Sequence, residues 1–286
     1  FIGVANISLS KGDIRYRLQG REIEIPLSTT LLDVQARPSG VTSTLNVDWG
    51  KYLRVVGDGK INDLFKKNIV DAKVKADVPS FDWVSPLVPA LQGLGGEILF
   101  TSEVNGPIEH PEIGANLSVK DGRLYIASLN SRFKNINLNV NLQKGTPVFL
   151  IKGAVGTEKG ALQLDGLYNI SNLTASLNVK GNDLLLANSD DIKLMISPDL
   201  SFNALGKPGG GKYRLTGSVR IPELFYQHKA SEGGGPVVTV SSDTVIIGDG
   251  NEHKRSEDFM NNLYMDVNFI LGDRIKVGAE GLTATL

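Results

Sequence analysis

Seven consecutive residues have the spacing of a phosphate-binding loop: Gly206-Lys207-Pro208-Gly209-Gly210-Gly211-Lys212. In such a loop backbone N–H groups cradle phosphates, a following Ser or Thr holds magnesium, and a helix begins there. Here Tyr213 follows the lysine, and Lys212-Tyr213-Arg214-Leu215-Thr216-Gly217 reads as a strand. The stretch is therefore read as a hairpin loop rather than a nucleotide site. The other reactive residue types are scattered. His110, His228 and His253 stand apart in expected loops, and a zinc site needs clustered ligands. Ser189-Asp190-Asp191 and Ser242-Asp243 pair a serine with carboxylates but lack the base of a catalytic set. There is no cysteine, which removes thiolate metal sites, disulfides and a thiol nucleophile. The expectation is a protein without catalytic residues, cofactor or metal, and not an enzyme.

Charge narrows the partners. Lys+Arg total 30 against Asp+Glu 31, a net charge of −1 over 286 residues. A nucleic-acid binder carries a basic imbalance or stripe. The longest basic cluster, His253-Lys254-Arg255, is followed at once by Glu257 and Asp258. Hydrophobic residues make up 41%, too many for a disordered chain. No run approaches the ~20 apolar residues that cross a bilayer.

The elements that carry these residues are strands. Asn135-Ile136-Asn137-Leu138-Asn139-Val140-Asn141-Leu142 alternates strictly, Asn on one face and aliphatic on the other. Leu177 and Val179; Leu194 and Ile196; Leu215, Val219 and Ile221; and Met265, Val267 and Phe269 follow the same rule. So do Val41, Leu45, Val47 and Trp49 near the N-terminus. Turn residues such as Asp121-Gly122, Gly181-Asn182-Asp183 and Asp249-Gly250-Asn251 punctuate the runs. The pattern predicts roughly twenty strands in an antiparallel meander, on the order of 100 Å long at ~4.8 Å per strand. The fold class is all-β: an elongated, curled antiparallel sheet forming a U-shaped trough with an apolar concave face.

One segment departs from this. Between Pro79 and Gly96, Trp83, Leu87, Leu91 and Leu94 recur at helical spacing, broken by Pro86 and Pro89. A short helix near 81–94 is expected to plug a sheet end or divide two sheet segments. His228–Pro236 and Gly248–Asp258 read as linker-like loops. The chain opens on Phe1 in one apparent strand and ends on Leu286 in another, so a piece of a longer protein is expected.

Several stretches resemble the TamB family of Gram-negative envelope proteins. They are Trp83-Val84-Ser85-Pro86-Leu87-Val88-Pro89 with Leu91 and Leu94-Gly95-Gly96; Val104-Asn105-Gly106-Pro107-Ile108 with Pro111-Glu112-Ile113-Gly114; and the Asp121-Gly122 turn. Ile196-Ser197-Pro198-Asp199-Leu200-Ser201, Leu215–Pro222 and Val240–Gly248 continue the series. The resemblance implies three segments: residues 1–79 as sheet continuous with the trough, 80–96 as the broken helix, and 97–286 as curled sheet of the TamB domain. It implies a periplasmic location, with the parent protein anchored in the inner membrane. An outer-membrane barrel of the Omp85 class (TamA-like) is the implied partner of the full-length protein. The implied roles are phospholipid transfer between membranes and assembly of outer-membrane proteins and autotransporters.

Residues expected to face the lipid groove are Ile136, Leu138, Val140, Leu142, Leu177, Val179, Leu194, Ile196, Leu215, Val219, Ile221, Val267 and Phe269. The cargo is phospholipid acyl chains or unfolded outer-membrane proteins. The alternatives are a chaperone that takes up unfolded β-strands by β-augmentation, and a β-helical adhesin or polysaccharide enzyme. The last requires repeats of constant length and, in an enzyme, clustered acids.

Overall fold

A computed structural model describes residues 2–18, 21–62, 68–88, 91–206, 211–228, 261–279 and 282–285. The strands, in chain order, are β1 (Gly3–Leu9), β2 (Gly12–Leu18), β3 (Arg21–Leu27), β4 (Thr29–Arg37), β5 (Gly40–Asp48) and β6 (Arg54–Asn62). Then come β7 (Ile69–Val78), β8 (Leu91–Pro107), β9 (Glu112–Ile126), β10 (Ser131–Leu142), β11 (Val148–Gly156) and β12 (Ala161–Asn169). The last are β13 (Thr174–Asn182), β14 (Leu184–Asn188), β15 (Ile192–Leu205), β16 (Lys212–His228), β17 (Leu263–Ala279) and β18 (Leu282–Thr285).

Among the described residues sixteen strands form one mixed sheet, curled but not closed. Its path runs β1-β4 and then in chain order to β13, β15, β16, β17 and β18. That is fourteen strand-to-strand steps, roughly 70 Å at ~4.8 Å each. The figure is shorter than expected for two reasons. Strands β2 and β3 form a separate hairpin, and β14 shares an edge of β15 with β13 instead of adding a step.

The antiparallel meander holds from β4 to β13, and one pairing corrects it. Strands β16 and β17 are parallel, with Leu215 beside Met265 and Val219 beside Phe269. Alternation identifies a strand but not its direction. Antiparallel neighbours join by tight turns, whereas a parallel pair needs a crossover of a dozen or more residues. Residues 229–262 separate these two strands. Both loops read as linkers fall in that stretch; beyond His228 they lie outside the described residues.

The helix near 81–94 is a shorter 3-10 segment, Asp82–Leu87, closed by Val88 N–H to Ser85 O at 3.2 Å. Pro86 and Pro89 have no N–H to continue a ladder. Leu91 and Leu94 belong to β8 instead.

The two ends of the strands differ. One rim consists of turns, including residues 108–111, 143–147 and 170–173. The opposite rim carries the β2–β3 hairpin, the 3-10 segment at Asp82–Leu87, a second at Ala127–Leu129, and β14. Ladder irregularities cluster toward this second rim, at Gln92–Glu97, Phe133–Leu138, Leu185–Ala187, Met195–Ser197 and Ile221–Glu223. Bulges bend strands and increase their twist, so a line of them creases the sheet.

Strand β14 holds the crease. It pairs with β15 on one side. On the other, Leu185 N–H donates to Lys159 O (3.0 Å) and Leu185 O accepts from Ser131 Oγ (3.3 Å). Asn130 Nδ2 donates to Asn188 O at 2.6 Å. Along the sheet β10 and β15 are four steps apart, roughly 19 Å. At this rim only β14 lies between them, which requires the sheet to curl.

Candidate functional site

The site is a face of the sheet. Directly paired residues on neighbouring strands share a face, so the ladder can be followed across the molecule. One row reads Leu9, Thr30, Val47, Val55, Ala76, Phe100, Leu117, Val140, Ile151, Gly166, Leu177, Phe202, Leu215, Met265. Only Thr30 and Gly166 in it lack an apolar side chain. The adjacent row, on the opposite face, reads Thr29, Asp48, Arg54, Asp77, Leu99, Ser118, Asn139, Lys152, Asp165, Asn178, Ser201, Thr216, Asp266. Leu99 is its one apolar residue. The period-two pattern of single strands is thus in phase from β1 to β17.

The thirteen residues singled out from the sequence fall on this apolar face as follows. Val140, Leu177 and Leu215 share the first row. Leu138, Val179 and Val267 lie in the next, connected through Gly153, Leu164, Leu200 and Gly217. Leu142 is opposite Phe149, which stacks on Tyr168 with centroids 6.4 Å apart. Val219 pairs with Pro198 and Phe269, and Ile221 with Leu271. Alternation along β15 keeps Ile196 and Leu194 on the face, opposite Leu184 and Ala187 of β14. Ile136 sits at the crease, opposite Gly122.

Burial separates them. Leu142 and Val219 are buried, Phe269 is 69% exposed, and the other ten are half-buried. Across the described residues only nine hydrophobic residues are buried. Four of these, Leu184, Leu185, Ala187 and Met195, surround β14. The dense packing is therefore at the creased rim, and the middle of the apolar face is left open. Among the described residues the one other sheet is the β2–β3 hairpin at the creased rim, so no second layer covers the middle of that face.

Sequence reasoning missed two things. It did not extend the face through Ile7, Leu32, Val55 and Phe100, whose strands are less strictly alternating. It also took glycines only as turn signals. Gly153, Gly166 and Gly217 lie within the apolar rows, where neighbouring side chains fill the space. At Gly153 a Cβ would sit 3.2 Å from Leu164 Cδ1 and 3.3 Å from Leu138 Cδ1.

The polar face is tied by ion pairs. Lys193 Nζ lies 2.6 Å and Arg274 Nη1 3.3 Å from Glu223, linking β15, β16 and β17. The hydrogen bond from Lys193 holds the Glu223 carboxyl below its ordinary range; partial burial opposes this, and the charges of Lys193, Arg274 and Lys159 reinforce it. Lys212, the lysine of the loop-like motif, opens strand β16, not a helix. Among the described residues no three potential metal ligands cluster. No described helix is long and apolar enough to cross a membrane.

Residues 150–286 match a family model described as the TamB C-terminal domain. No curated protein and no solved structure matches the chain. The match takes in β11 to β18 apart from the first two residues of β11, and the stretches Ile196–Ser201, Leu215–Pro222 and Val240–Gly248. The similar stretches between Trp83 and Gly122 precede it.

Proposed function

We propose that this chain, whose residues 150–286 match the TamB C-terminal domain, carries phospholipid acyl chains between the inner and outer membranes on its apolar face. It does so as a carrier surface, without catalysis. TamB-family proteins are periplasmic, inner-membrane-anchored subunits that generally associate with TamA-type Omp85 partners. For this chain, docking to such a barrel and a contribution to outer-membrane protein and autotransporter assembly are parts of the same proposal.

The observation that carries the reading is the in-register apolar row that crosses fourteen strands while most of its groove residues stay half-buried. Each CH₂ removed from water is worth ~0.8 kcal/mol. Two acyl chains of ~15 carbons therefore hold on the order of 20 kcal/mol against free crossing of water. A continuous aliphatic surface removes most of that barrier. The surface must also be even, because a deep pocket would trap its cargo. Branched aliphatics with glycine gaps at Gly153, Gly166 and Gly217 suit this.

Val140→Arg tests the reading. Val140 is half-buried in the centre of the row. An arginine there has water within reach, so the fold is retained, while a charge interrupts the acyl path. The expected result is an unchanged circular dichroism spectrum with loss of lipid retained through purification, read by native mass spectrometry. Global unfolding of the variant, or undiminished lipid, counts against the proposal. Photocrosslinkers at Leu138 and Leu177 should capture lipid; capture of polypeptide alone would favour the chaperone reading instead.

A further inference from the structure

Part of the polar face departs from its own rule. Near the turn rim, Leu150 and Leu167 are direct partners on that face, and the row continues through Ser176, Asn203 and Arg214 to Tyr264. One step closer to the rim, Leu205 pairs with Lys212 on the same face. Leu205 is 58% and Tyr264 55% exposed, unusual for large side chains on a face of Asn, Asp, Lys and Ser. All of these but Leu150 line an open cavity of about 660 Å³, within the usual size range of small-molecule sites.

The chemistry of the lining is one-sided. Leu167, Leu205 and Tyr264 supply apolar surface, Asn203 supplies an amide, and Lys212 and Arg214 supply cations. No described lining residue is acidic. Among the described residues no carboxylate lies within ion-pair distance of Lys212 or Arg214. Arg214 instead lies over the Tyr264 ring, Cζ 4.9 Å from its centroid, which holds the guanidinium beside the apolar floor. On the same face Lys180 pairs with Asp199 at 3.1 Å.

We propose that this cavity binds an amphipathic phosphate ester of the anionic phospholipid class, with the phosphate on Lys212 and Arg214 and the apolar part against Leu167, Leu205 and Tyr264. Guanidinium and ammonium groups are suited to phosphate oxygens, and the exposed leucines require an apolar component that free phosphate lacks. An extended peptide could add to β17, whose outer edge has no described partner before Lys276, but Leu167, Leu205, Lys212 and Arg214 lie on strands paired on both sides and offer it no edge to join. The site is on the opposite face from the apolar wall, so it stands whether or not the wall carries lipid.

The test uses the full chain carrying Val140→Arg, which disables the wall, and calorimetric titration below micelle-forming concentrations. Dihexanoyl phosphatidylglycerol should bind. Adding Lys212→Ala and Arg214→Ala should weaken it at least tenfold. Both side chains are exposed, so folding should be retained, as circular dichroism would show. Leu205→Asp, also at an exposed position, should weaken binding at least tenfold by an independent route. Inorganic phosphate and dihexanoylglycerol should each bind at least tenfold more weakly than the intact lipid. The proposal fails if either substitution set costs less than tenfold. It also fails if phosphate alone, the uncharged glyceride, or an acidic leucine-containing peptide binds as tightly as the lipid.

Discussion

Leu184 is 2% exposed and lies over Gly181, where a Cβ would come within 2.3 Å of its Cδ1. Among the described residues it is the best-buried large side chain, and there are few others. Leu184→Ala should destabilise the fold by about 2–4 kcal/mol, measured by urea unfolding, whereas truncating half-buried Val140 to Ala should cost less. Glu223 makes a prediction about pH. Its carboxyl pKa is lowered in the folded state, chiefly by the hydrogen bond from Lys193. A lowered acid contributes stability that is complete above its unfolded value of ~4.3 and is lost as pH falls through the folded value. Glu223→Gln should therefore cost about 1 kcal/mol near neutrality. The gap to the parent should close on acidification below about pH 4. A gap independent of pH would show that the pairing with Lys193 and Arg274 is not its source.

Strands are the elements here, and what they require is close lateral approach. Gly217 of β16 pairs with Leu200 and Val267, inside the apolar rows. Its φ is +128°, and a Cβ there would sit 2.1 Å from the carbonyl oxygen of Asp199. Gly217→Ala should therefore cost about 3 kcal/mol or more, although alanine is apolar and the face is half-open. Equilibrium unfolding would measure it. The bulges supply the other requirement. At the crease Asn135 (φ +50°) and Asp121 (φ +49°) break the extended backbone, so that β9 and β10 bend and keep Phe133 and Ile136 in contact with the ladder. In the sequence Asp121-Gly122 carried a turn signal, and its position in mid-strand was not evident. A turn signal reports a positive φ, which a bulge needs as much as a hairpin does.

For the whole molecule, one sheet layer of fourteen steps predicts an extended particle. A globular chain of this length has a radius of gyration of roughly 19 Å; a curled ribbon roughly 70 Å long should give about 25 Å by small-angle scattering. A value at the globular limit would mean that the apolar face closes on itself in solution. The sequence alone determined the class of the molecule. Period-two alternation, with Asn135–Leu142 its clearest example, fixes strands and assigns their two faces, because a side chain's face depends only on its position along the strand. The absence of cysteine likewise removes disulfides and thiolate sites before any coordinates. Only the tertiary structure decided which strands are neighbours, that β16 and β17 run parallel, and that β14 gathers β10 toward β15. It alone shows that the apolar rows stay in register while ten of the thirteen residues singled out from the sequence are half-buried. Register and curl depend on pairings between residues far apart in the chain, and one strand's alternation carries no information about its neighbour's offset or direction.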